Sequence, residues 1–205
     1  MRMFDIMMLL GSLQPQKTIP ARITCAWAAF PDERVRGYMA TALHIVERVN
    51  LRLGNLLAAA DAEARWNAPE APEQFWFGSF SRIKAAKVQR TFRGIPRHLA
   101  SPQLKVVCDA GFGSYGEARP GILRIRLGHL WHDPDVPEKD AERVQTFVHE
   151  AAHICGRFSI AEGSFYGRDD AHSLTRWRMR ATRNADNYGY YAIDAIDAID
   201  HPTAG

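Results

Sequence analysis

The sequence predicts an α+β domain that is mostly helical and carries a small sheet. Three observations favour this fold class. Apolar residues recur at three- and four-residue steps over residues 32–65, which is typical of an amphipathic helix. Apolar and basic residues alternate strictly over residues 123–127, as in a half-buried strand. A second apolar stripe runs through residues 144–155 around the pattern H-E-x-x-H, which indicates a buried helix.

The predicted elements follow in a simple order along the chain. Residues 32–65 form one long helix or two, and they end at a proline-containing break over residues 67–72. A basic amphipathic run from Arg82 to Leu99 predicts the next long helix, and the predicted strands follow it. A loop rich in Asp and Pro then leads into the H-E-x-x-H helix. Two further helical stretches are predicted at residues 169–182 and 185–199.

These patterns indicate a single domain over residues 25–200. We expect residues 1–24 to be a loosely held N-terminal segment and residues 201–205 to be a short tail. A chain of 205 residues with 46% hydrophobic residues is long enough to bury a sizeable core.

The N-terminal residues do not resemble a cleavable signal peptide. The apolar run from Met1 to Leu10 is short, Asp5 interrupts it, and no convincing small-residue cleavage site follows. No run in the chain is long enough to cross a membrane. We therefore expect no membrane span.

The charge argues against a nucleic-acid-binding module. The net charge is only +3, and the arginine and lysine clusters recur at helical spacing, which is typical of solvated helix faces. The zinc-binding pattern of His149, Glu150 and His153 instead predicts a peptide or protein substrate as the partner.

The residues His149, Glu150 and His153 carry the chemistry of the chain. Positions i and i+4 of a helix lie one above the other, so the two imidazoles can reach one zinc ion. The glutamate beside the first histidine is then placed to take a proton from a zinc-bound water. Asp140 can cap the start of this helix and Gly156 can end it. The pattern makes the chain a candidate zinc peptidase.

Two groups of zinc peptidases do not fit the residues that follow. Metzincins continue with a glycine and a third histidine; Gly156 is present, but Ser159 occupies the histidine position. Thermolysin-like enzymes take a glutamate from a later helix, and no glutamate follows on a predicted helix at a suitable distance.

A third group fits better. The H-E-x-x-H pattern, Tyr166-Gly167 and the segment Asn184-Ala-Asp-Asn-Tyr188 resemble the deuterolysin or aspzincin family, which includes the peptidyl-Lys metalloendopeptidases. Upstream, Trp76-Phe77-Gly78 and the strands at residues 106–108 and 122–127 are similar to that family as well. The resemblance covers residues from about 74 to 192.

The resemblance implies a zincin-like metallopeptidase fold with an H-E-x-x-H active-site helix. It implies a zinc metalloendopeptidase, which is a hydrolase that holds one Zn²⁺ per chain. His149 and His153 are the expected metal ligands, and Glu150 is the expected general base. Tyr166 matches the tyrosine that donates a hydrogen bond to the developing oxyanion.

The third metal ligand is the main departure from the family. The family's aspartate lies three residues before the tyrosine, and Gly163 stands at that position. Glu162 lies one residue earlier, and its longer side chain can compensate for a shifted backbone, so Glu162 is the expected ligand. Asp169 and Asp170 are the alternatives, with Asp170 the stronger.

Two features bear on substrate binding. Asp186 matches the aspartate that receives the substrate lysine in the Lys-specific relatives, but Gly189 replaces their second acid. The resemblance implies substrate binding by Asp186 and a preference for lysine, which the missing second acid weakens. A hydrogen-bonding role for Asp186 that holds the last helix is an equal alternative. The strand at residues 123–127 is a candidate edge strand for pairing with an extended peptide, or an ordinary edge guarded by arginines.

The cysteine count bears on the redox state and on the localisation. Cys25, Cys108 and Cys155 form an odd set without a signal peptide, which favours reduced buried thiols. The family is usually secreted and disulfide-bonded, and a Cys25–Cys108 bridge is the alternative it implies. We expect a protein that is secreted or delivered without a cleavable signal peptide, such as a bacterial toxin, or otherwise a cytoplasmic one. An inhibitor or immunity protein is unknown.

The missing aspartate ligand leaves a second class of function open. A zincin-like domain with a degenerate metal site would bind peptides or proteins without cleaving them.

Overall fold

The computed structural model of the protein describes residues 19–25, 31–132, 140–156 and 165–200. In these residues long helices pack on one face of a four-stranded sheet. The helices are α1 (Asp32–Ala58), α2 (Ala62–Trp66), α3 (Pro72–Phe77), α4 (Arg82–Leu99), α5 (His129–His132), α6 (Asp140–Cys155), α7 (Arg168–Ser173) and α8 (Ala185–Asp200). The strands are β1 (Arg22–Thr24), β2 (Lys105–Cys108), β3 (Gly116–Ala118) and β4 (Arg124–Leu127). The prediction of a mostly helical domain with a small sheet is confirmed.

The sheet is mixed, with the strand order β1-β2-β4-β3. Strand β2 runs parallel to both β1 and β4, whereas β3 runs antiparallel to β4. Within β4, Ile125 and Leu127 are buried towards the helices and Arg124 is exposed, so the predicted half-buried strand is confirmed. Alternation of this kind is expected where only one face of a sheet is covered.

The expectation that β4 is an edge strand is wrong. Ile125 lies opposite Val106 of β2 on one side and opposite Ala118 of β3 on the other. Both hydrogen-bonding edges of β4 are therefore occupied. The edge of the sheet on this side belongs to β3, which packs against α6.

The N-terminal boundary also differs from the prediction. Arg22–Thr24 form β1 and pair with β2, and the neighbouring Ile19 and Ala21 are buried. Residues 19–24 thus belong to the packed domain rather than to a loosely held segment. Residues 1–18 and 201–205 lie outside the described residues.

Helix α6 occupies the centre of the molecule. It packs against α1, α4 and α8, and also against β3. Of the apolar stripe predicted for it, Val144, Val148, Ala151 and Ala152 are fully buried, whereas Cys155 is partly buried. Phe147, which was not part of the prediction, is fully buried as well. Burial of such side chains contributes roughly 1.5–3 kcal/mol for each large one. The strongest packing in the domain thus holds the helix that carries the H-E-x-x-H pattern.

Helix α8 extends through the Ala-Ile-Asp repeat near the end of the chain. Ile193 and Ile196 are buried in the core. Asp194, one residue after Ile193, accepts a hydrogen bond from the Trp76 indole. It also forms an ion pair with Arg168. The repeat therefore docks on the domain through both its apolar and its acidic positions.

The predicted helix over residues 169–182 is not continuous. Helix α7 ends at Ser173, and two short 3₁₀ turns follow, Leu174–Arg176 and Ala181–Arg183. The Ser173 and Thr175 hydroxyls donate to the carbonyls of Asp170 and His172, three residues earlier. Side-chain hydrogen bonds of this kind compete with the helical ladder and favour a tighter turn.

Cys25 and Cys108 form a disulfide across the ends of β1 and β2. The expectation of reduced thiols is wrong for this pair, because the parallel pairing of β1 with β2 brings the two residues together. Cys155 is a free, partly buried cysteine. Within the described ranges, none of the helices combines the length and hydrophobicity needed to span a bilayer.

Candidate active site

The two histidines of the H-E-x-x-H pattern face each other on α6. His149 and His153 are one helical turn apart, and both are largely buried. The distance between their Nε2 atoms is 3.1 Å. Two ligands bound tetrahedrally at 2.0–2.1 Å from one zinc ion lie about 3.3 Å apart. The two ring nitrogens are therefore already spaced as zinc ligands.

The protonation of His153 also suits a metal ligand. Burial, followed by the neighbouring His149, lowers the pKa of His153 to about 3. The ring is therefore neutral near pH 7, and a neutral imidazole has a lone pair for coordination. The donor set around these two histidines fits a zinc ion.

Asp186 of α8 holds the other side of the His149 ring. The His149 Nδ1 lies 2.6 Å from the Asp186 Oδ1. Because a carboxylate only accepts hydrogen bonds, Nδ1 is the donor and Nε2 is left to face His153. A carboxylate that contacts the free ring nitrogen in this way typically orients a metal-bound histidine.

The carboxylate of Asp186 is fully engaged inside the protein. Oδ1 also accepts a hydrogen bond from the Gln145 amide at 3.1 Å, and Oδ2 accepts one from the Gly167 backbone N–H at 2.9 Å. Burial pushes the pKa of Asp186 upward, but these hydrogen bonds, above all that from His149, leave the pKa lowered overall. This geometry favours the hydrogen-bonding role of Asp186, in which it holds α8 against α6, over direct contact with a substrate lysine.

The Glu150 side chain extends from α6 to the edge strand β3. Its side chain is buried, and Gly116 of β3 approaches it closely. A Cβ atom on Gly116 would lie 2.6 Å from the Glu150 Oε1. The absence of a side chain at Gly116 is therefore what gives the carboxylate its place beside the two histidines.

A second glycine makes room for Gln145. A Cβ atom on Gly189 of α8 would lie 2.6 Å from the Gln145 Nε2. Gly189 is the position at which Lys-specific relatives are expected to carry a second acid. Here the Gln145 side chain fills that space and donates to Asp186.

These residues border a cleft of about 680 Å³ between α6, the segment 112–117 and the start of α7. His149, His153 and Glu150 form one wall of the cleft. Tyrosines line it as well, namely Tyr115, Tyr166 and Tyr190. A peptide segment can therefore enter a space that already contains the candidate ligands and the candidate base.

The structure does not bring every predicted site residue to the histidines. Tyr166 is 54% exposed at the cleft, with its ring centroid 6.5 Å from that of His149. Asp169 and Asp170 are exposed on α7. In the described part of the chain, the potential ligand group around His149 contains Glu150 and His153 but not Asp170. Glu162 lies outside the described residues.

Several residues of the site were not predicted from the sequence. Gln145 and Glu142 lie four and seven residues before His149, a helical spacing that would have placed them on its face. Gly116 and Tyr115 carry no such signal, because their position depends on how β3 pairs with β4.

A protein-family model and a solved structure both match this chain. The aspzincin family model, described as "Lysine-specific metallo-endopeptidase", matches residues 69–193, which is more than half of the chain. The chain belongs to the aspzincin family. It is a zinc-dependent metalloendopeptidase, and the resemblance seen in the sequence is confirmed.

The aspzincin fold is supported independently by a solved structure. The chain is similar to a zinc peptidase from Grifola frondosa, with a TM-score of 0.56 and 22% sequence identity. The match covers 78% of this chain and 92% of the other. A comparison with curated proteins finds no match.

The close approach of Gly116 to Glu150 generates a prediction for this aspzincin. Gly116→Ala should lower kcat by at least about tenfold, because the added methyl group must displace the Glu150 carboxylate from its position. Peptide cleavage and thermal unfolding, measured side by side, check this. The matched control is Gly54→Ala in α1, where a Cβ atom meets nothing within 4 Å. Equal activity of the two variants would show that the Glu150 position does not matter.

Proposed function

We propose that His149 and His153 hold the zinc ion of this aspzincin, with α6 serving as a zincin-like active-site helix. The observation that supports this most directly is the 3.1 Å separation of the two Nε2 atoms. The Asp186 contact supports it further, because it directs the His149 Nε2 towards His153.

Glu150 serves as the general base of peptide hydrolysis in this proposal. A bound zinc ion supplies a water of lowered pKa, about 7, and polarises the scissile carbonyl. Glu150 accepts a proton from the attacking water and passes it to the nitrogen of the leaving amine. The buried position of its carboxylate beside both histidines supports this role.

Tyr166 serves as the donor to the developing oxyanion. Its ring lies on the open side of the cleft, near the His149 ring. The adjacent Gly167 N–H is held by Asp186, so the backbone beside Tyr166 is fixed relative to the histidines. Removing one such donor typically costs about 3 kcal/mol of transition-state stabilisation.

The substrate peptide binds along β3. This strand is the edge of the sheet next to α6, and its Gly116 borders both the cleft and Glu150. An extended peptide can add to such an edge through main-chain hydrogen bonds, which bind a backbone whatever its side chains.

The preference for lysine at the cleavage site remains part of the proposal. The description of the aspzincin family as lysine-specific metallo-endopeptidases supports it. The charge of the cleft supports it too, since its described lining carries carboxylates and no lysine or arginine. The carboxylates are Glu117, Glu142, Glu150 and Asp186.

The localisation is likewise proposed: a secreted or delivered enzyme, such as a bacterial toxin. The Cys25–Cys108 disulfide supports it, because such bonds persist in oxidising compartments. Detection of the oxidised protein in the medium or in a target cell would agree with this localisation. Strictly cytoplasmic, reduced protein would count against it.

The roles of His153 and Glu150 generate the main prediction. The wild-type protein should contain about one zinc per chain and cleave peptides in a chelator-sensitive manner. His153→Ala should lose the zinc, whereas Glu150→Gln should keep it and lose at least about a hundredfold in kcat. Metal analysis and peptide cleavage on the same preparations check both variants. A Glu150→Gln variant that cleaves normally would exclude Glu150 as the base, and zinc retained in His153→Ala would exclude that ligand.

The third ligand generates a second prediction. Glu162→Gln should weaken zinc binding by tenfold or more while the fold is kept, because an amide oxygen carries no charge to offset the metal ion. Asp170→Asn is the matched control, since Asp170 is exposed and stands apart from the histidine group. Competition with a zinc chelator measures both affinities. The opposite ranking of the two variants would assign the ligand to Asp170.

Tyr166 generates a third prediction. Tyr166→Phe should lower kcat by about a hundredfold and leave the zinc content unchanged, because only the transition state accepts the hydroxyl hydrogen bond. Steady-state kinetics with metal analysis separates these effects. Full activity of this variant would remove Tyr166 from the mechanism.

A further inference from the structure

The carboxylates that line the cleft do not have equal freedom to meet a substrate. Asp186 already accepts three hydrogen bonds from the protein, and Glu150 is the proposed base. Glu117 is paired with Arg119 at 3.2 Å and with Arg126 at 3.5 Å, so its charge is offset. Glu142 is the remaining carboxylate of the described lining.

Glu142 lies on the same face of α6 as the candidate zinc ligands. It precedes His149 by seven residues, which is two helical turns or about 10 Å along the axis. Its side chain is exposed at the cleft. Glu142 is therefore placed about 10 Å from His149 along α6, in the direction of its N-terminal end, where a long substrate side chain extending from the scissile bond would point towards it.

Two tyrosines flank this carboxylate. The Tyr115 hydroxyl donates to the Glu142 Oε2 at 3.4 Å. Burial raises the pKa of Tyr190, and the nearby charges of Asp186 and Glu142 raise it further, so this phenol stays neutral. Aromatic walls with an acid beyond them suit a side chain that has an apolar stem and a cationic end.

The space beside Asp186 on α8 is filled by a protein side chain. Gly189 stands there, and the Gln145 side chain packs against its Cα. Gln145 donates to Asp186 rather than leaving it open to a ligand. Among the described carboxylates of the cleft, Glu142 on α6 is the one left to recognise a charged side chain.

We propose that Glu142 is a specificity-determining residue that receives the cationic side chain of a lysine or arginine next to the scissile bond. This inference rests on the proposed peptidase function of the same cleft. In this proposal Glu142 on α6, rather than Asp186 on α8, recognises the cationic side chain. Asp186 then acts as a positioning residue for His149.

The test uses two sets of four fluorogenic peptides. Within the first set the peptides differ only at the residue after the cleaved bond, and within the second set only at the residue before it. That residue is lysine, arginine, norleucine or glutamate. Norleucine keeps the apolar stem of lysine and lacks its charge. The measured quantity is the ratio of kcat/KM for lysine to kcat/KM for norleucine, in the zinc-loaded wild-type protein and its variants.

Glu142→Gln should lower the lysine-to-norleucine ratio about fivefold to tenfold, as expected for one partly desolvated ion pair. Glu142→Asp should keep part of the preference, and Glu142→Lys should shift it towards the glutamate peptide. Increasing salt should reduce the wild-type ratio, because it screens an exposed charge pair. The matched control is Glu63→Gln on α2, which removes one exposed negative charge outside the cleft and should leave the ratio unchanged.

Asp186→Asn separates the two carboxylates. It should weaken zinc binding by tenfold or more, while the ratio in the zinc-saturated variant stays close to that of the wild type. A ratio that falls with Asp186→Asn and not with Glu142→Gln would overturn the proposal. A wild-type ratio near one for both peptide sets would overturn it as well.

Failure of the underlying peptidase function would look different. In that case the wild-type protein would bind no zinc or would cleave none of the peptides. A protein that cleaves the norleucine peptide, but whose lysine preference ignores Glu142, would retain the peptidase function and lose only this inference.

Discussion

The site depends on one buried carboxylate. Asp186 joins three separate parts of the chain, because it accepts hydrogen bonds from His149 and Gln145 of α6 and from the backbone of Gly167. A buried charge is costly unless it is paired and hydrogen-bonded, and here the partners include a candidate metal ligand. The same contact that lets the protein bury Asp186 also fixes which nitrogen of His149 faces His153. The position of α8 and the orientation of the histidine are therefore linked.

Helix α6 is unusual because polar side chains on it are buried as well as apolar ones. Arg143 is buried, and it is bound by the Asp140 carboxylate and the Trp131 carbonyl. Glu150 and Gln145 fit only because glycines, not larger residues, stand opposite them on β3 and α8. Gly116 and Gly189 thus leave the space beside the cleft that the Glu150 and Gln145 side chains occupy. A side chain at either glycine would remove the space that the polar groups occupy.

Much of this arrangement is visible in the sequence. The three- and four-residue periodicity predicts α1 and α6 because a helix in a core must present a continuous apolar face, and the spacing of His149 and His153 predicts that both share a face. The alternation in β4 predicts a strand with one covered face, but it does not tell which strands lie beside it. The edge position belongs to β3, whose three residues are too few to show an alternation of apolar and polar side chains.

Residue roles that depend on tertiary contacts were harder to predict. Asp186 matches a substrate-binding position by its place in a motif, yet its role depends on how α8 packs on α6. The Cys25–Cys108 bond depends on the parallel pairing of β1 with β2, which joins segments far apart in the chain. In contrast, the spacing of residues within one helix requires no knowledge of the fold, which is why the H-E-x-x-H residues are predictable from the sequence alone.

The proposed mechanism requires the Nε2 atoms of His149 and His153 to bind the same zinc ion. A crystal structure of the protein purified with zinc, with anomalous diffraction recorded on both sides of the zinc absorption edge, tests this most directly. We expect one strong anomalous peak between the two rings, about 2.0–2.1 Å from each Nε2, with Asp186 still hydrogen-bonded to the His149 Nδ1. A peak elsewhere in the molecule, or no peak at these histidines with zinc in excess, would contradict it.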